Sequence, residues 1–140
     1  MIDRFKLLYN SGANKNSLAL NRNLTTEQID LLYQTQGVDR GSLSRFSKLT
    51  DIQFMRLFND EDFNKNDLSQ NPNLTPEQID LLYFAGANRN SLASYSKLTD
   101  EQFMRFFNDE FVNNNYLAQN PSINAPANQP FASGIFNWKW

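Results

Sequence analysis

The 140 residues include no cysteine and no histidine, only five glycines and five prolines, and no long uninterrupted apolar run. Without cysteine there is no disulfide, thiolate nucleophile, cysteine-ligated zinc or iron-sulfur cluster. Without histidine the commonest general base and metal ligand is gone as well. Positive charge is also scarce: 13 basic against 15 acidic residues give a net charge of -2, too little for a broad field that would draw nucleic acid phosphates. Asp3, Arg4 and Lys6 interrupt the first residues, and no apolar stretch of membrane-spanning length follows. The expectation is a protein of the cytoplasm or of a soluble assembly, with no secretion signal. A G-x-S-x-G elbow, a phosphate-cradling glycine loop and a calcium loop of D-x-[DN]-x-[DN]-G form are all missing. The run Asp60, Glu61, Asp62 lacks that calcium spacing and reads as a solvated turn. These absences leave no catalytic, cofactor-binding or metal-binding candidate, and the chain is expected not to be an enzyme.

What is present is repetition. The string L-T-P-E-Q-I-D-L-L-Y from Leu74 to Tyr83 nearly copies Leu24 to Tyr33, and K-L-T-D-x-Q-F-M-R-x-F-N-D occurs at Lys48 and again at Lys97. The chain is therefore an array of units about 25 residues long. One such unit is too small to bury a core, and stacked units share one.

Aligned on Leu24, Leu49, Leu74 and Leu98, the units carry Thr25, Thr50, Thr75 and Thr99, then Gln28, Gln53, Gln78 and Gln102 three positions on. This is a capping box: the threonine hydroxyl accepts from the third helical N–H, and the glutamine returns to the cap N–H. Pro76 stands at the first helical position, where its missing N–H costs nothing. Apolar residues then recur three and four apart, as Ile29, Leu32, Tyr33; Phe54, Leu57, Phe58; Ile79, Leu82, Tyr83; and Phe103, Phe106, Phe107. That spacing predicts a helix with one buried face. Phe5, Leu8 and Tyr9 fit the same register, so the array is expected to begin inside a helix near Met1. Each helix should end at Gly12, Gly37, Gly86 or the Asn59-Asp60 pair, where glycine and asparagine tolerate the left-handed conformation. The 20 asparagines read chiefly as punctuation at these turns. A shorter α or 3₁₀ element follows, centred on Leu18, Leu43, Leu68, Leu92 and Leu117, each followed by alanine or serine for close packing.

The run L-S-Q-N-P-N-L-T-P-E-Q-I-D-L-L, Leu68 to Leu82, with its period of 24 to 25 residues, resembles the leucine-rich repeat variant family of bacterial proteins and borders on HEAT-like solenoids. The resemblance implies an all-α, right-handed α-solenoid of about five units over residues 1-121, and an interaction scaffold rather than a catalyst. The iron-sulfur domain of one member type does not transfer to a chain without cysteine.

Units alternate. Arg56 and Arg105 replace Leu31 and Leu81, while Met55 and Met104 replace Asp30 and Asp80, so the full period is a pair of units from an internal duplication. The two arginines are candidates for receiving an acidic protein partner; the plainer reading pairs them with Asp60 and Asp109 four residues on. After Pro121 the repeat fails, and residues 122-140 form a proline-containing tail holding Phe131, Ile135, Phe136, Trp138 and Trp140. These aromatics either cap the last unit or dock on a protein partner. The expected function is a scaffold or adaptor for protein-protein interaction, bound to a protein or to further copies of itself. A structural subunit of a larger assembly, such as a phage virion held by this arm, is the alternative. RNA recognition ranks behind both, because the short helices lack a basic and aromatic code.

Overall fold

The computed structural model describes residues 2-124. Among them the secondary structure is entirely helical, with no strand: α1 (Arg4–Asn10), α2 (Lys15–Ala19), α3 (Thr26–Gln34), α4 (Arg40–Phe46), α5 (Asp51–Phe58), α6 (Lys65–Leu68), α7 (Pro76–Phe84), α8 (Arg89–Tyr95), α9 (Asp100–Phe107) and α10 (Asn114–Ala118). Longer and shorter helices alternate. Thr25, Thr50, Thr75 and Thr99 each complete the capping box at the start of a long helix. Short helices start on Asn14, Asp39, Asn64, Asn88 and Asn113, whose side chains accept from a backbone N–H of the first turn. Asparagine thus acts as an N-cap more than as a helix stop.

Gly12, Gly37 and Gly86 have φ of 88°, 87° and 86°, and no other described residue has a positive φ. The expected left-handed Asn59 is therefore not found; its φ is -88°. After α5 and α9 the chain turns on an aspartate instead. Asp60 Oδ1 accepts from the Asp62 N–H, and Asp109 Oδ1 from the Phe111 N–H, which closes the turn by a side chain and leaves ordinary backbone angles.

The central leucines of the short helices, Leu18, Leu43, Leu68, Leu92 and Leu117, are all buried, as are Ala19, Ser44, Ser69 and Ala93 after them. Burial of each leucine contributes roughly 2 kcal/mol. Ala118, the last of this small-residue series, is exposed. Short helices pack on one another in succession, α2 on α4, α4 on α6 and α8 on α10. Buried residues fall into two clusters, one from Leu18 to Leu43 and one from Phe54 to Leu117, and the half-buried Tyr33 and Leu49 touch both. Between the two clusters in the chain come the buried polar residues Ser44, Ser47 and Gln53.

The first helix departs from expectation. It starts at Arg4, capped by Asp3, whose carboxylate accepts from the Lys6 N–H at 2.9 Å. Leu8 occupies the register of Leu32, Leu57 and Leu82, which are 0-1 % exposed, yet is itself 48 % exposed because no described element lies against that side. Phe5 and Tyr9 pack inward on the first cluster, so the apolar edge at this end consists of Ile2, Leu7 and Leu8.

Candidate functional site

Two matching clusters of arginine, tyrosine and aspartate lie along the long helices, one in each half of the duplication. In the first, Arg56 of α5 donates to Asp30 of α3 at 3.1 Å, and its guanidinium lies 5.0 Å from the Tyr33 ring. Arg40 covers the same ring at 4.1 Å and approaches Asp60 at 3.6 Å. In the second, Arg105 of α9 donates to Asp80 of α7 at 2.6 Å and lies 5.4 Å from the Tyr83 ring. Arg89 covers that ring at 4.1 Å and bonds Asp109 at 2.8 Å. Each tyrosine is thus held by two guanidiniums, one from the following short helix and one from the next long helix, an attraction of cation for ring face worth about 0.5-2 kcal/mol per contact.

This arrangement corrects the pairing expected from spacing within one helix. Arg56 and Arg105 reach back about 25 residues to Asp30 and Asp80, not forward four to Asp60 and Asp109, which belong to Arg40 and Arg89. Asp30 and Asp80 point toward the next unit, where the arginine stands one residue after the matching position, which Met55 or Met104 occupies. A second donor joins them. Gln53 Nε2 donates to Asp30 and to the Thr26 carbonyl, at 2.9 and 3.1 Å, and Gln102 Nε2 to Asp80 and the Pro76 carbonyl, at 2.9 and 2.8 Å. Gln78 does the same to Asp51 at 2.7 Å. Three of the four capping-box glutamines, Gln53, Gln78 and Gln102, therefore close their own helix with Oε1 and clasp the preceding long one with Nε2, while Gln28 makes only its own capping box. Five of the seven arginines are committed to carboxylates in this way.

The hydrogen bond from Gln53, reinforced by Arg56, holds the Asp30 carboxyl below its ordinary range. Asp109 is held down likewise, first by the hydroxyl of Tyr83, which donates to it at 2.6 Å, while burial opposes the shift. Burial and that same bond push the Tyr83 phenol up. The stability lent by the two carboxylates is complete above about pH 4 and is lost as pH falls through their lowered values. Tyr83 lends stability that is complete below about pH 10 and is lost as pH rises through its raised value. The thermal midpoint is expected to be level between these limits and to fall on both sides. In Asp109→Asn the acid decline is expected to be shallower, which thermal melts across the acid range would check.

The second half also carries exposed aromatics: Phe84 and Phe111, which sequence reading did not single out, and Phe107, which it placed on a buried helical face. Phe84, Phe107 and Phe111 are 71 %, 50 % and 74 % exposed. The first half carries Gln34 where the second carries Phe84, and Asp62 where it carries Phe111, so the comparison of halves was the signal available. Arg105 lies 5.2 Å from the Phe84 ring, which places Phe84 beside the cluster. Arg56 and Arg105 keep 35 % and 25 % of their side-chain surface exposed. Phe131, Ile135, Phe136, Trp138 and Trp140 lie outside the described residues. Among the described residues no group of three or more acidic side chains is arranged to hold a metal ion, and no helix is long and apolar enough to cross a membrane. Comparison with known protein families, curated proteins and solved structures finds no match for this chain.

Proposed function

We propose that this chain is a nonenzymatic helical-repeat scaffold, a right-handed solenoid of the leucine-rich repeat variant kind, that offers a fixed surface to a protein partner. What supports the reading is the exposure of Phe84, Phe107 and Phe111 in the second half, with Arg105 against the Phe84 ring, which we take together as one aromatic edge. Large aromatics and arginine are the side chains that anchor protein interfaces, and two of these three phenylalanines stand where the first half has polar residues. The clasping of successive long helices by glutamine and arginine supports a rigid presentation of that edge. The same commitment of arginines to carboxylates weighs against phosphate recognition and so against RNA.

The test is the double change Phe84→Ser with Phe111→Ser. Both side chains are exposed, so far-UV circular dichroism and the thermal midpoint should hold nearly constant. Proteins retained from the native cell by the wild-type chain should be reduced about tenfold on the variant, the effect of losing one or two interface anchors. Equal retention by both would end the assignment of this edge.

The reading as a subunit of a larger assembly, such as a phage virion, finds support at the other end. Ile2 and Leu7 form with Asp3, Lys6 and Asn10 a shallow groove of about 400 Å³, of a kind that a further copy would cover. Light scattering separates the two: a monomer at all concentrations favours the scaffold, a defined oligomer the assembly.

A further inference from the structure

A groove between α8 and α10, of about 280 Å³, is walled by Tyr95 and Tyr116 with Gln70, Ser91, Gln119 and Pro121 around them, and no charged residue lines it. Both tyrosines are exposed. Its origin is legible in the duplication. At the corresponding place in the first half, Arg45 bonds Asp67 at 2.7 Å and lies 5.7 Å from the Phe46 ring. Forty-nine residues later Arg45 has become Ser94, Asp67 has become Tyr116, and Phe46 has become Tyr95. The ion pair that spans this place in the first half is thus replaced by a serine and a tyrosine, and the opening in the second half is uncharged and lined by two phenol rings.

We propose that this groove receives the chain's own C-terminal segment, residues 125-140. Three observations point to that occupant. First, the chain leaves the described structure at the rim: Pro121 is part of the wall, and Ser122 is tied to Asn120 Oδ1 through its N–H at 2.8 Å and its hydroxyl at 2.6 Å. The segment begins three residues later. Second, residues 125-138 contain no charged side chain, so they enter an uncharged groove without stranding an ion, which would cost several kcal/mol. Third, the segment carries Pro126 and Pro130. Proline favours the extended polyproline conformation, whose carbonyls stay unpaired and whose ridges pack against aromatic side chains. The amides of Gln70 and Gln119 and the phenol hydroxyls are the donors for those carbonyls. Docking within one molecule costs little entropy, because the groove and the segment are joined by a few residues. The groove shares no residue with the edge assigned above to a partner, so either inference can fail alone.

Trp138 and Trp140 are the protein's only tryptophans, and indole fluorescence of the full chain therefore reports this segment alone. The decisive variant carries Ser94→Arg with Tyr116→Asp, restoring in the second half the ion pair that the first half folds with. A second variant, Pro126→Gly with Pro130→Gly, alters only the segment and leaves every described helix untouched. Both are expected to keep the wild-type helical circular dichroism, to raise acrylamide quenching of the indoles, and to speed chymotryptic cleavage after Phe131 about tenfold, in proportion to the population released. Equal quenching and cleavage in all three proteins would overturn the proposal. Protection of the wild-type segment that disappears on dilution would also overturn it, since the groove would then hold a second copy's segment.

Discussion

Replacing Asn71 with alanine is expected to lower the free energy of unfolding by about 3 kcal/mol, from the loss of bonds to groups that stay buried. Asn71 is 1 % exposed, and its Nδ2 donates to the carbonyls of Ser44 and Ser47, both at 2.7 Å, while its Oδ1 accepts from the Asn73 N–H at 2.8 Å. Those carbonyls are at the end of α4, where a helix has no further N–H of its own to bond them. The asparagine is therefore the C-cap of a helix in the preceding unit, supplied from 24 to 27 residues away. Asn120 does the same for α8, through the carbonyls of Ala93 and Ser96. Asn21 occupies the same repeat position, but it is exposed and holds only the Asn23 N–H. Alanine at position 21 should cost no more than about 0.5 kcal/mol. Urea titrations of the two variants would check the contrast, with the midpoint moving for Asn71→Ala and the slope unchanged. Equal effects at both positions would show that the bonds to α4 add nothing.

Gln102→Glu carries the second large effect, expected at about 3 kcal/mol of destabilisation at neutral pH, the cost of removing bonds from a charged and a buried acceptor. If the glutamine only closed a capping box, glutamate would serve as well, and its charge at the helix start would help slightly. Gln102 is 3 % exposed, however, and its Nε2 faces the Asp80 carboxylate at 2.9 Å and the Pro76 carbonyl at 2.8 Å. A glutamate oxygen there meets two acceptors, one of them charged, with Arg105 alone to offset the repulsion. Denaturant unfolding at neutral pH and again near pH 4 would test this. The loss should shrink as the added carboxylate takes up a proton. A variant as stable as the wild type at neutral pH would reduce the glutamine to its local role.

How much of this was written plainly in the sequence differs by the range of the interaction. The capping boxes, the buried leucines of the short helices and the turns at Gly12, Gly37 and Gly86 follow from neighbours within one turn, and local steric and hydrogen-bonding rules read them directly. The bonds between units do not follow from such rules. Arg56 with Asp60 satisfied a familiar four-residue spacing, and only the packing of α5 on α3 put Asp30 nearer. Yet a trace of that pairing was present: aspartate in one unit type and arginine in the next alternate in both halves, at Asp30 and Arg56 and again at Asp80 and Arg105. Asparagine concealed three tasks under one residue type. It caps short helices, as at Asn64; it reaches the following unit's cap N–H, as from Asn16 to Asp39 and from Asn66 to Asn88; and it caps the preceding unit's α4 and α8. Composition registered their number but not which carbonyl each would meet.

The aromatic edge and the groove were hidden for a different reason. Phe107 fits a buried helical register and is half exposed, while Phe84 and Phe111 fit no register at all and so attracted no attention. Position-by-position comparison of the halves isolates them, because the first half shows what the fold alone requires. Gly41 illustrates the converse. It replaces the asparagine of the other units, and a Cβ there would lie 2.8 Å from the Asp67 carboxylate, so this glycine leaves space for the first half's own ion pair.

The most direct measurement is a map of side-chain contacts in solution by nuclear Overhauser spectroscopy, centred on the amide groups of Asn71, Asn120, Gln53, Gln78 and Gln102. Stacked units predict slowly exchanging amide protons on these residues, each with contacts to the helix about 25 residues before it and none linking the region before residue 25 to the region after residue 75. Rapidly exchanging amides without such contacts, or close approach of those two distant regions, would contradict a fold in which each unit is held by its predecessor.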